Sequence, residues 1–457
     1  MSNSETPLKN VVIGTGPQAA RAAAAVGGLL LDTGTAEDFA RWAEIPEGVG
    51  VVVGANRDAA ARWYGAAPEV SEAGRSRAIA VHGQIRRLPM KPAEVLEMFG
   101  VQSAPSAVEG WARARAQRVK QRLVGGGLEE RSYKDWVVQR FGDSTYFGLY
   151  RDYAERRWGP PESLSVSAAR VYHGQTVPEE RYALGADPAS GWAALTGAIP
   201  EVRHGVVIEG LRLRDDKAGT VAAVLTADGE VPVAGRLFCA VPPPRVVGWL
   251  GDAADEGLRF DAGPLTARER VLVALSLPGA SDLPAATHIV GDSSDEYNPP
   301  FFLVTRPGLL PGGERSSTVV AHLSPVAGDA LADADDAGVI DAVCRTIPGA
   351  LRDVFPSGGR ADSAGARVWR LPDYDPTWPA LPWHPAQNRV MLALAGRNIQ
   401  LLGRAGAHRY ADAGAELAFA EGLAAGEVSA HELQRTLLDP PVLLREEAPS
   451  IGRFVQR

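Results

Sequence analysis

Residues 11–32 read VVIGTGPQAARAAAAVGGLLLD. A short apolar run, a glycine turn, an Ala-rich run, a glycine pair and a second apolar run follow one another. This order predicts strand, turn, helix and strand, with Gly27 and Gly28 ending the helix. Gly14, Gly16 and Ala19 fall on G-x-G-x-x-G/A. In that pattern the first glycine permits a tight turn and the second lets backbone approach a pyrophosphate. The third small residue lets helix and strand pack closely, and the free N–H groups of the helix face an anion. Asp32 lies 18 residues beyond Gly14, at the end of the second strand. A carboxylate there accepts a hydrogen bond from a ribose hydroxyl and disfavours a 2′-phosphate. The expectation is a nucleotide site. The alternative is a glycine turn that only joins strand to helix, with Asp32 a surface turn residue.

Outward from this stretch, Thr35 is an N-cap candidate, with Glu37 and Asp38 in the first turn of the helix TAEDFARWAEI. GVGVVVGA (48–55) reads as a third buried strand of a parallel sheet. AIAVHGQIRRLPM (78–90) reads as a strand pair around His82 and Gly83, and residues 92–158 are mainly helical. Residues 205–242 hold four runs separated by turn signals, an antiparallel meander ending in a buried strand. More strands fall within 268–324, and AGVIDAVCRTI (337–347) is an amphipathic helix. NIQLLGRAG (398–406) is a strand entering a glycine turn, and a long helix begins at Ala413.

The wider chain resembles the flavin-dependent amine oxidase and protoporphyrinogen oxidase superfamily, including its UDP-galactopyranose-mutase-like branch. GTGPQAARAA (14–23) is similar to the FAD motif of that family. AVHGQIRRLPMKPAEVLEMFG (80–100) and the helical segment YKDWVVQRFG…YAERRWG (133–159) follow in the family's order. GRLFCAVPPPRVVGWL (235–250) and NIQLLGRAGAHRYADAGAELAFAEGLAAG (398–426) close the series. The resemblance spans nearly the whole chain. It implies an α/β fold: a Rossmann-like FAD-binding domain interleaved with a substrate domain of antiparallel sheet plus helices. The expected division puts the dinucleotide-binding domain at 1–66, 193–248 and 386–440. The substrate domain takes 67–192 and 249–385, and 441–457 is a tail.

The resemblance also implies residue roles. Gly14, Gly16, Pro17 and Ala19 would meet the FAD pyrophosphate, Asp32 the ribose, and Leu211 the adenine. Gly403 and Arg404 would lie near the ribityl chain. Asp412, Ala413 and Gly414 would approach the isoalloxazine, with the following helix aimed at its N1–C2 edge. The sequence departs from the family in two respects, one being a first βαβ unit shorter than usual. After the ribose acid the family has a Gly-Gly pair and an Arg, whereas this chain has TGTAEDFARW (33–42). Three outcomes stay open: FAD in a modified loop, a different nucleotide, or a site without one.

Candidate chemistry centres on RAGAHRY (404–410). His408, Arg409 and Tyr410 are candidate catalytic residues beside the expected flavin turn, histidine being the residue type that can change charge near neutral pH. Arg404 and Arg409 would hold a carboxylate or phosphate bidentately. The alternative for His408 and Arg409 is holding the loop by backbone hydrogen bonds, and for Arg404 and Arg409 as anion holders it is a structural ion pair. Tyr153, Arg156, Arg157, Trp158, Tyr172, His173, Asp373, Asp375, Trp378, Trp383 and His384 are further wall or core candidates.

With 47 basic and 55 acidic side chains the net charge is −8, which argues against coating nucleic acid or anionic membrane. The two cysteines, Cys239 and Cys344, are too few for a disulfide framework and read as buried thiols. No apolar stretch is long enough to span a membrane, the first residues carry no secretory signal, and a cytoplasmic location is expected. No histidine spacing indicates zinc. An FAD-dependent oxidoreductase, taking hydride from a C–N or C–C bond of a small molecule, is the leading expectation. A flavin-free binding or partner protein, or one using the fold for non-flavin chemistry, is one alternative. A net non-redox sugar-nucleotide mutase is the other.

Overall fold

The computed structural model describes residues 10–44, 51–53, 66–69, 77–88, 92–124, 132–166, 168, 181–184, 188–277, 280–284, 286–290, 299–306, 318–326, 328–355, 361–377, 383–408 and 413–425. The opening stretch folds as its pattern predicts. β1 (Val11–Gly14) runs into α1 (Gly16–Val26), and β2 (Leu29–Asp32) returns parallel to β1. Gly27 ends α1 in the left-handed region, and its N–H reaches back to the last turn. Thr35 caps α2 (Ala36–Arg41) by accepting from the Asp38 N–H. A 3₁₀ turn over Trp42–Glu44 follows.

The parallel sheet is not finished locally. Its order is β18-β12-β1-β2-β8, with β8 at Glu201–Arg203, β12 at Leu237–Cys239 and β18 at Ile399–Leu401. The expected third strand is corrected here. β3 (Val51–Val53) pairs antiparallel with β7 (Arg181–Leu184), beside β4 (Ala66–Glu69), in a separate small sheet. The residues that neighbour β2 instead come from β8, and their side chains are not fully buried. A run of valines specifies burial and extension, but not which edge it joins.

β9 (Ile208–Leu213), β10 (Val221–Thr226) and β11 (Gly229–Pro232) form an antiparallel sheet. The fourth run of that expected meander leaves it and becomes β12 of the parallel sheet. A seven-stranded mixed sheet has the order β17-β13-β16-β15-β14-β5-β6. Its members are β5 (Arg77–Val81), β6 (Gln84–Leu88), β13 (Ala267–Ser276), β14 (Ala286–Val290), β15 (Phe301–Thr305), β16 (Thr318–Leu323) and β17 (Arg367–Pro376). β5 and β6 form the expected hairpin, turned by His82 and Gly83 at positive φ.

Helices cover the sheets. In chain order they are α3 (Pro92–Val124), α4 (Tyr133–Phe141), α5 (Arg151–Trp158), α6 (Pro188–Gly197), α7 (Pro243–Trp249), α8 (Glu256–Ala262), α9 (Asp336–Ala350), α10 (Trp383–Ala395), α11 (Gly403–Gly406) and α12 (Ala413–Ala425). Ser132 and Asp135 cap α4 reciprocally. One apolar core runs from the parallel sheet into the α4–α5 aromatics, and a second lies between the large sheet and α9. Both cysteines are buried and free, and burial pushes the Cys239 thiol up. Among the described residues, no helix is long and apolar enough to cross a membrane.

Candidate functional site

The site is built where β1, β12 and β18 end. Gly14 sits between α1 and the β12 exit. A Cβ there would come 2.9 Å from Ala19 Cβ and 3.0 Å from Ala240 Cβ. That close approach is the packing role expected of Gly14 and Ala19. Gly16 has φ +70, so the bend needs a residue tolerant of the left-handed region.

The C-terminal glycine turn meets this bend directly. Gln18 Oε1 accepts from the Arg404 N–H at 2.8 Å, and its Nε2 donates to the Tyr374 carbonyl at 3.3 Å. A Cβ on Gly403 would lie 2.7 Å from Gln18 Oε1. The two turns therefore close on one buried glutamine.

Trp42 packs against Gly16 at the wall of a small cavity lined also by Thr15, Gln18 and Arg245. A Cβ built on Gly16 would stand 3.2 Å from Cζ2 and 3.4 Å from Cε2 of Trp42. Trp42 is 5% exposed and begins the 3₁₀ turn that follows α2. Asp32 is closed off as well, at 1% exposure. Its Oδ1 accepts from the Gly34 N–H at 3.0 Å, and its Oδ2 lies 2.9 Å from His204 Nδ1. Burial raises the Asp32 pKa, opposed by hydrogen bonds from His204, Gly34 and Thr15. Phe39 of α2 packs on the His204 ring at 4.8 Å and on Trp192 at 5.1 Å. A dinucleotide laid across this bend needs the space held by Trp42 and the carboxylate held by His204. As they stand, the residues present do not fit it.

Beyond Gln18 lies a buried ionic cluster. Arg21 of α1 donates from Nε to Glu416 of α12 at 2.7 Å, and Arg270 of β13 donates from Nε to Asp375 of β17 at 2.7 Å. Arg404 stands between the two carboxylates, 3.8 Å from Asp375 and 3.7 Å from Glu416. Arg404 and Arg270 also face the Tyr374 ring at 4.9 and 5.1 Å. Burial raises the Tyr374 phenol pKa, opposed by Arg404, Arg270 and Arg21.

The other expected residues fall as follows. Pro17 lies in the first turn of α1. Leu211 is core in β9, opposite Val224. His408 is 1% exposed at φ +48, and its carbonyl accepts from Gln387 Nε2 at 3.3 Å. Ala413 and Gly414 begin α12. Arg409, Tyr410 and Asp412 lie outside the described residues, as do Tyr172, His173 and Trp378. Trp158 is core, and Arg157 stacks on it at 4.5 Å while bonding Tyr153 Oη at 2.6 Å. Arg156 ties down the carbonyls of Ile289, Pro299 and Phe301.

Sequence reasoning missed Gln18, Trp42 and His204. The missing glycine pair signalled that something replaces it. Nothing local signalled His204, which lies 172 positions from its partner.

The architecture is an α/β fold similar to those of several solved flavin oxidases and a mutase. It is similar to a protein from Exiguobacterium sp. 255-15 assigned as a protoporphyrinogen oxidase, with TM-score 0.62, 15% identity, and 93% of this chain and 99% of that one covered. It is also similar to a reduced UDP-galactopyranose mutase, with TM-score 0.66, 14% identity and 97% and 98% covered. A putrescine oxidase bound to putrescine aligns with TM-score 0.57, 14% identity and 92% and 99% covered. No family model and no curated protein matches the chain.

Proposed function

We propose that this chain is a binding protein built on the flavoenzyme fold, working on a small molecule or a partner without FAD. One observation carries the reading: the Trp42 indole occupies the space over Gly16 where a pyrophosphate would approach. The shared fold brings the two glycine turns together, and Gln18 joins them by a hydrogen bond.

A second reading keeps the fold's redox chemistry. It is favoured by the whole-length likeness to two oxidases and a mutase and by the juxtaposed turns. It requires Trp42 to leave and His204 to release Asp32. The absorption spectrum of the purified full chain, before and after incubation with FAD, tests both readings. A colourless protein that takes up no FAD is expected. A yellow protein, or saturable FAD uptake, overturns the first reading. Anaerobic bleaching by an amine would then assign an oxidase, and turnover only after dithionite reduction would assign a mutase.

A further inference from the structure

We infer that the outer face of α3 docks the protein on an anionic lipid surface. This holds whether or not the glycine bends take FAD. Residues 110–128 carry Arg113, Arg115, Arg118, Lys120 and Arg122 and no acidic residue, in a chain whose net charge is −8. The charge of the whole chain argues against coating an anionic surface. A docking face acts within a Debye length of about 8 Å, however, so the charge of that face decides.

The helix has two unlike faces. Ala107, Trp111 and Ala114 recur at helical spacing and turn inward. Both alanines are buried, and Trp111 Nε1 donates to Thr145 Oγ1 at 2.6 Å. Val108, Ala112, Val119 and Leu123 are exposed, and the same period sets them on one outer stripe, about 22 Å from end to end. Leu123 is 82% exposed. Arg115 borders the stripe on one side, and Arg113 and Lys120 lie toward the other; all three are exposed. Glu109 pairs with Arg113 at 2.5 Å, and the remaining cations outnumber it.

The segment bonded to α3 repeats the pattern. Two residues after Thr145, Phe147 is 53% exposed, with Lys134 Nζ and the Arg151 guanidinium each 5.9 Å from its ring centre. Val108, Val119, Leu123 and Phe147 are four of the eight exposed large apolar side chains among the described residues, so exposed apolar surface is concentrated here. Apolar tips flanked by long cationic stems suit a headgroup layer: the tips enter the acyl boundary and the stems reach the phosphates. A second copy of this face would set cation against cation. The stripe calls for anions along both borders with apolar depth between them, which a lipid layer supplies at every point and a single acidic helix does not.

The test is sedimentation of the full chain with vesicles of phosphatidylcholine, or of an equal mixture of phosphatidylcholine and phosphatidylglycerol. Saturable binding to the anionic vesicles, none to the neutral ones, and loss of binding in raised salt are expected. Arg115→Gln/Lys120→Gln should weaken binding on the order of tenfold. Val119→Ser/Leu123→Ser should weaken it while leaving its salt dependence in place. All four side chains are exposed, so circular dichroism and the melting temperature should match those of the wild type. If one double variant does not fold, the other carries the comparison. Equal binding to both vesicles, binding to neither, or unchanged affinity in the folded variants overturns the inference. Binding of an acidic amphipathic peptide without any vesicle binding would assign the face to a protein partner, and overturns it too.

Discussion

At the residue scale, Gly14 and Asp32 show two different constraints on one bend. Gly14 is fixed by space, since Ala19 and Ala240 leave no room for a methyl group. Gly14→Ala should cost about 1–3 kcal/mol, read as a lower urea midpoint with unchanged slope. Asp32 is fixed by its hydrogen bonds but opposed by its burial, and the net effect raises its pKa. The folded state then holds a proton more readily than the unfolded chain. This carboxyl therefore contributes less to stability as pH rises from 3.8 through its raised value. The stability of wild type relative to Asp32→Asn should fall across that window. Denaturant melts of both proteins over that pH range check the sign, and a rising difference would refute it.

At the element scale, α1 is held from two sides. Arg21 joins it to α12 through Glu416 in a pair almost wholly buried at both ends. Removing one partner of such a pair strands the other charge, so Glu416→Gln should lose about 3–5 kcal/mol. The double variant Arg21→Met/Glu416→Leu should recover much of that loss, and a thermal-melt cycle measures it. α2 is held by Arg41 donating to the Val368 carbonyl of β17 at 2.8 Å. That bond keeps the segment bearing Trp42 against the large sheet. Arg41→Ala should loosen it and cost about 1 kcal/mol in urea unfolding, with little change elsewhere.

At the scale of the whole molecule, the chain ends complete what its beginning starts. β18 and α12 come from the last described segments, yet β18 pairs with β12 and α12 packs on α1. A chain ending at residue 385 loses the β18 edge, the Glu416 partner of Arg21 and the turn that meets Gln18. It should not form a cooperative fold, which circular dichroism and a denaturant melt will show. An independently folding fragment would refute the interleaving.

The alternation of apolar runs and glycine turns was enough to define β1, α1, β2, the cap at Thr35 and the hairpin at His82 and Gly83. These depend on neighbours within a few positions, where periodicity and backbone preference act directly. The tertiary structure alone decided that Val51–Val53 leaves the parallel sheet, that Trp42 covers Gly16, and that His204 takes Asp32. Those outcomes depend on which distant surfaces exclude water together. A side chain's hydrogen-bonding capacity is written in its type, but the partner that satisfies it is chosen only when the chain closes.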